Sequence, residues 1–126
     1  DLAVLKLIEK NADISPIQRK RKIEDINIGE TVYAIGNPQG LGQSVSMGII
    51  SAIGRKFINK QGSFIQTDAS INPGNSGGAL VDSNGNLLGV INFIESTTGG
   101  NQGLNFAIPI DVVSESYSKI LKETER

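Results

Sequence analysis

The run Ile71-Asn72-Pro73-Gly74-Asn75-Ser76-Gly77-Gly78 sets one hydroxyl among glycines and asparagines, with Ala79-Leu80-Val81 directly after it. Glycines this dense are needed where a backbone must turn through positive φ or approach a ligand with no side chain in the way. A serine on such a turn presents its Oγ outward. The backbone N–H groups of Gly74 and Ser76 can then converge on one point, which is the geometry of an oxyanion hole. The chemistry this pattern offers is acyl transfer from a serine nucleophile. The bland reading is a glycine-rich turn in which the serine merely caps or solvates.

A serine nucleophile needs a base, and the chain has no histidine. That removes the commonest general base and the usual zinc ligands. With no cysteine there is neither a thiolate site nor a disulfide framework. No metal or cofactor is expected. The net charge of −1 offers no electrostatic footprint for nucleic acid. The one basic run, Arg19-Lys20-Arg21-Lys22, sits beside Glu24 and Asp25 and reads as a solvated connector. No apolar run approaches the length of a membrane span, and no signal peptide is visible.

The 126 residues suit one domain with a real core. Residues 1–8 are apolar almost throughout and predict a buried strand, followed by a polar linker carrying Pro16. From Ile23 onward short strands alternate with turns. Strands are expected at 31–35, 44–53, 64–67, 78–81, 87–93 and 104–108, with Gly48 a bulge or close-packing point. Asn84-Gly85 predicts a tight type I′ hairpin. The polar stretch 55–63 reads as a mobile loop. After Pro109, Ile110, Val113, Tyr117, Ile120 and Leu121 fall at helical spacing, with Asp111 and Lys122 placed to suit the macrodipole. The expected fold is all-β, an antiparallel barrel closed by one amphipathic helix.

Two serine chemistries use a G-x-S-x-G turn. In the α/β-hydrolase elbow a helix follows the serine; here a strand and a hairpin follow, with no helix for about thirty residues. The alternative is the chymotrypsin-like double barrel. Asp1-Leu2-Ala3-Val4-Leu5-Lys6-Leu7 resembles the strand of that family that opens with the triad aspartate, and Gly74-Asn75-Ser76-Gly77-Gly78 resembles its nucleophile loop. Ala34-Ile35-Gly36-Asn37-Pro38, Gly48-Ile49-Ile50-Ser51-Ala52, Gln66-Thr67-Asp68-Ala69-Ser70-Ile71-Asn72 and Asn105-Phe106-Ala107-Ile108-Pro109 sharpen the resemblance to the HtrA (Deg) family, nearest its DegS branch.

The resemblance implies roles and partners. The fold would be the six-stranded second barrel of a trypsin-like double barrel, at 23–109. Residues 1–22 would be the last strand of a first barrel plus the linker, and 110–126 a helix leading towards a PDZ domain. Ser76 would attack a peptide carbonyl, Gly74 and Ser76 would hold the oxyanion with Asn75 shaping the loop, and Asp1 would orient a histidine supplied from upstream. The uncharged Asn75 stands where digestive relatives carry an aspartate that pairs with a new N-terminus. Ser70, Ile71 and Phe93 would line a shallow pocket for small apolar residues, and the loop opening at Arg55 would be regulatory. Val90-Ile91-Asn92-Phe93 departs from the Ile-Asn-Thr usual past the hairpin. The parent would be a homotrimeric periplasmic endopeptidase for protein or peptide substrates, in quality control or stress signalling, with an inner-membrane anchor. The chain alone would be inactive; the competing expectation is a protease-like domain that only binds peptides.

Overall fold

The structure is a computed structural model that describes residues 2–9, 13–37, 42–57, 60–72, 74–92 and 104–124. Six strands, β1 (Thr31–Gly36), β2 (Ser44–Phe57), β3 (Lys60–Thr67), β4 (Ala79–Asp82), β5 (Leu87–Asn92) and β6 (Asn105–Pro109), precede one helix, α1 (Ile110–Thr124). The strands form a closed barrel in the order β1-β2-β3-β6-β5-β4, antiparallel throughout. Closure leaves no free edge along the paired segments, which is how a small all-β domain avoids a template for aggregation. The expected fold class, barrel and terminal helix, is the observed one.

Period-two alternation builds the interior. Val32 and Ala34 of β1 and Ile50 and Ala52 of β2 are buried, and Ile65, Leu80, Leu88 and Ile91 complete the centre of the barrel. A second cluster, Phe64, Phe106 and Ile108, receives Val112 and Val113 of α1 and Leu2 of the N-terminal segment. Burying each such side chain contributes roughly 1.5–3 kcal/mol. On the outside of β2 the same alternation leaves Val45, Met47 and Ile49 exposed.

Four details differ from the sequence reading. Residues 2–9 form no strand, and Leu5, Leu7 and Ile8 are exposed; an apolar run becomes a strand only where a neighbour supplies ladder partners, and none does so among the described residues. The described parts of 55–63 are arms of a long hairpin rather than a loop, with Arg55 paired to Phe64 and Phe57 to Lys60 across three register irregularities. The β4–β5 turn is centred one residue earlier than expected. Gly85 N–H donates to Asp82 O, so Ser83 and Asn84 take the corner and Gly85 follows at φ +79°. The cause is Asp82, whose Oδ1 accepts from the amides of Asn84 and Asn86 at 2.9 and 2.8 Å.

The fourth concerns the basic run. Arg21 is no solvated connector: its guanidinium pairs with Glu30 and, at 3.2 Å, with Asp82, and donates to Asp25 O. Around it Arg21 N–H donates to Leu87 O and Leu87 N–H to Arg19 O, each at 2.9 Å, laying the linker beside β5. Burial by itself raises the Asp82 carboxyl. The hydrogen bonds from Asn86, Asn84 and Arg21 outweigh it, so its pKa lies below the usual 3.8. A carboxylate depressed in the fold stabilises above its unfolded pKa, and that contribution is lost as pH falls through the folded value. The urea midpoint of the chain should therefore fall between pH 5 and pH 2. Asp82→Ala should lower the unfolding free energy at neutral pH by about 2–4 kcal/mol and flatten its acid dependence. An unchanged acid slope would refute the assignment.

Candidate active site

The segment between β3 and β4 carries the serine. Its start is fastened to the barrel by side chains. Thr67 Oγ1 donates to Ile49 O at 2.7 Å and accepts from Ala69 N–H at 3.1 Å. Asp68 Oδ1 accepts from Ile49 N–H at 2.7 Å, and Asn105 Nδ2 of β6 donates to Ala69 O at 2.8 Å. A Cβ at Gly48 would collide with Asp68 and Ala69, which identifies it as the close-packing point expected there.

Beyond Pro73 the chain makes two turns that share Asn75. Asn75 N–H donates to Asn72 O at 3.0 Å, and Gly78 N–H donates to Asn75 O at 2.9 Å. Gly74 and Gly77 lie at φ +103° and +89°, a region L-residues avoid. The end of the turn is stitched to β5: Gly77 N–H donates to Ile91 O and Ile91 N–H to Gly78 O, both at 2.8 Å. Three amides of the turn, those of Asn75, Gly77 and Gly78, thus point at backbone carbonyls. Ser76 is exposed at the crest, while Asn75 is buried.

Ser76 and Gly77 open onto a cleft of about 620 Å³ whose walls are largely apolar. Its lining includes residues 2–5, Val90 and Asn92 of β5, and Val113, Ser116, Tyr117 and Ile120 of α1. The structure therefore brings the serine turn and the N-terminal segment together although they lie more than seventy positions apart in sequence.

The other sequence-derived site residues fall as follows. Gly74 belongs to the serine turn. Ser70 is exposed, and its carbonyl accepts from Ser46 Oγ at 2.7 Å. Ile71 is only 3% exposed and packs in the barrel core, and neither residue lines the Ser76 cleft. Arg55 lies on β2, exposed, with Nε donating to Gln66 Oε1 at 3.1 Å. Asp1 and Phe93 lie outside the described residues. Residues that stood in the matching blocks without a role are Thr67 and Asn105, which fasten the approach to the turn, and Gly36, over which Asn75 sits. A polar residue amid the apolar Leu104–Ile108 run was the available signal for Asn105. No group of three or more potential metal ligands occurs among the described residues.

Barrel, helix and serine turn together define a trypsin-like peptidase barrel. Residues 1–90 match the family described as the trypsin-like peptidase domain. The chain is 48% identical over 128 aligned positions to the serine endoprotease DegS of Haemophilus influenzae, covering 98% of this chain and 37% of that protein. It is 48% identical over 99 positions to the periplasmic serine endoprotease DegP of Escherichia coli K12, covering 77% and 21%. A solved HtrA-type protease, AlgW with a tripeptide, superposes with a TM-score of 0.77 at 49% identity, over 84% of this chain and 36% of that one. The chain belongs to the trypsin-like peptidase family, in its HtrA (Deg) branch. It spans roughly a fifth to two-fifths of the length of these relatives.

Removing the Asn105 amide should loosen the approach to the serine turn. Asn105→Ala leaves the buried Ala69 carbonyl without that donor and should cost about 1–3 kcal/mol of unfolding free energy, read from urea titration. A loss under about 0.5 kcal/mol, typical of an unremarkable surface position, would show that Asn105 does not anchor this segment.

Proposed function

We propose that the chain is the nucleophile-bearing barrel of an HtrA-type serine endopeptidase that hydrolyses peptide bonds in protein substrates. Ser76 Oγ attacks the scissile carbonyl, and the Gly74 and Ser76 N–H groups take the oxyanion. Asp1 orients a histidine contributed by residues outside this chain, which becomes the proton acceptor and then the donor to the leaving amine. One observation carries the reading: Ser76 stands exposed on a turn whose intervening amides are already committed, in the same cleft as the segment that begins immediately after Asp1. The relatives named as serine endoproteases, and AlgW solved with peptides, support the reaction and the substrate class.

The substrate pocket assigned to Ser70, Ile71 and Phe93 accepts small apolar side chains. The nearby acid, Asp68, supports an uncharged pocket, because its carboxylate accepts from the β2 backbone. Without a buried counter-charge a lysine or arginine is strongly disfavoured, whereas one methylene changes selectivity by only about 1–3 kcal/mol. Regulation is assigned to the β2–β3 hairpin that carries Arg55. The parent is periplasmic, as the relatives named DegP are, with a role in envelope stress response or quality control, an inner-membrane anchor and a PDZ domain. It forms a homotrimer; the exposed row Val45, Met47 and Ile49 supplies apolar surface of the kind an interface covers.

The 126-residue chain, lacking any imidazole, should show no casein hydrolysis above background, since a serine hydroxyl is a poor nucleophile without an adjacent base. The full-length parent should cleave casein, and Ser76→Ala should lower kcat by about 10⁴-fold or more. A peptide library cut by the parent should show valine or alanine before the cut. Cleavage by the isolated chain that Ser76→Ala abolishes would overturn the missing-base account. A parent that binds peptides without cleaving them would establish the peptide-binding reading instead. Dominant cleavage after lysine or arginine would refute the pocket.

A further inference from the structure

We propose that the end of β1 and the serine turn form a two-point clamp in which Asn75 is the positioning residue for Ser76 and its flanking amides. The inference rests on the serine-protease reading and extends it to residues that touch no substrate. At the first point the Asn75 side chain lies over Gly36. A Cβ built on Gly36 would stand 2.9 Å from Asn75 Cγ and 3.2 Å from its Cα, and closer still to Oδ1. At the second point a Cβ on Gly78 would overlap Ile35 O and stand 3.0 Å from Asn75 O. Two glycines therefore let the turn and the strand interlock without a side chain between them.

Asn75 is where this interlock reaches the chemistry. It donates its N–H to close the turn from Asn72 and offers its C=O to close the turn to Gly78. Gly74 lies inside the first turn and Ser76 inside the second. Displacing Asn75 must swing both proposed oxyanion donors together. A purely steric wedge would need only apolar atoms. Asn75 instead carries a buried Oδ1 with no hydrogen-bond partner among the described residues, at 8% residue exposure. A buried acceptor left without a donor calls for an explanation, and a site held taut for function is one. The neutral amide fits this slot where an ionised carboxylate without a partner would not.

The test uses the full-length parent with Gly36→Ala, Asn75→Ala and the double variant. Reaction of Ser76 with a fluorophosphonate probe and peptide hydrolysis are measured for each. Gly36→Ala should push Asn75 aside and lower both the labelling rate and kcat by about 10²-fold, with KM changed less than about twofold. Asn75→Ala does not crowd the barrel and should lower kcat by about tenfold or more. In the Asn75→Ala background, adding Gly36→Ala should cost less than about twofold more, because the overlapping carboxamide is gone and only the 3.2 Å approach to Cα remains. Normal labelling and kcat in both single variants, or additive losses in the double, would overturn the clamp. If the unmodified parent fails to label at Ser76, the protease reading itself falls. Should Gly36→Ala not fold, an unchanged kcat in Asn75→Ala overturns the proposal alone.

Discussion

The rest of the structure depends on how the segment between β3 and β4 crosses the end of the barrel. β3 pairs with β2 and β6, whereas β4 pairs with β1 and β5, so the connecting residues must pass from one side of the closed sheet to the other. A connection of that kind, left to itself, would be mobile. Here it is fastened on arrival by Thr67, Asp68 and Asn105 and on departure by the two backbone hydrogen bonds between Gly77, Gly78 and Ile91. What lies between the two anchorages is the serine turn. Its place follows from the barrel's closure, and its local shape from the glycines at positive φ.

At the far end of β4 a different chemistry sets the boundary. Asp82 is 5% exposed, yet its two oxygens collect the amides of Asn84 and Asn86, the Asn86 side chain and the Arg21 guanidinium. A carboxylate removed from water without such partners would be too costly to keep ionised. The partners come from the hairpin and from the linker, so one residue shapes the β4–β5 turn and docks the linker at once. The four-residue strand thus runs between a glycine interlock at one end and an ion-pair network at the other.

Part of the exposed apolar surface falls in groups. Leu5, Leu7 and Ile8 precede the linker, Tyr117 is on α1, and Val45, Met47 and Ile49 lie on the outer face of β2. Scattered singly these would be unremarkable; grouped, they are apolar surface of the kind that interfaces use. The N-terminal segment illustrates the point. Its composition is that of a strand, and its conformation is irregular where the described residues offer it no ladder.

Much of the fold was legible in the chain itself. Each of the six strands and the helix was expected near its observed place, because alternation, helical spacing and Gly, Pro and Asn punctuation are local signals. The serine turn was legible for the same reason: glycines at positive φ are a property of a few adjacent residues. What the chain did not disclose were relations between distant residues. Arg21 looked like one charge in a solvated run until Glu30 and Asp82 were brought to it. Gly36 looked like the first residue past a strand until Asn75 lay over it. Ile71 was singled out for a pocket near the serine, and its packing among the barrel-core residues could not be read from the chain. Periodicity and turn chemistry act over a few residues, so the sequence alone determined the elements and the serine turn. Which side chains meet across the barrel depends on register and closure, and only the tertiary structure decided that.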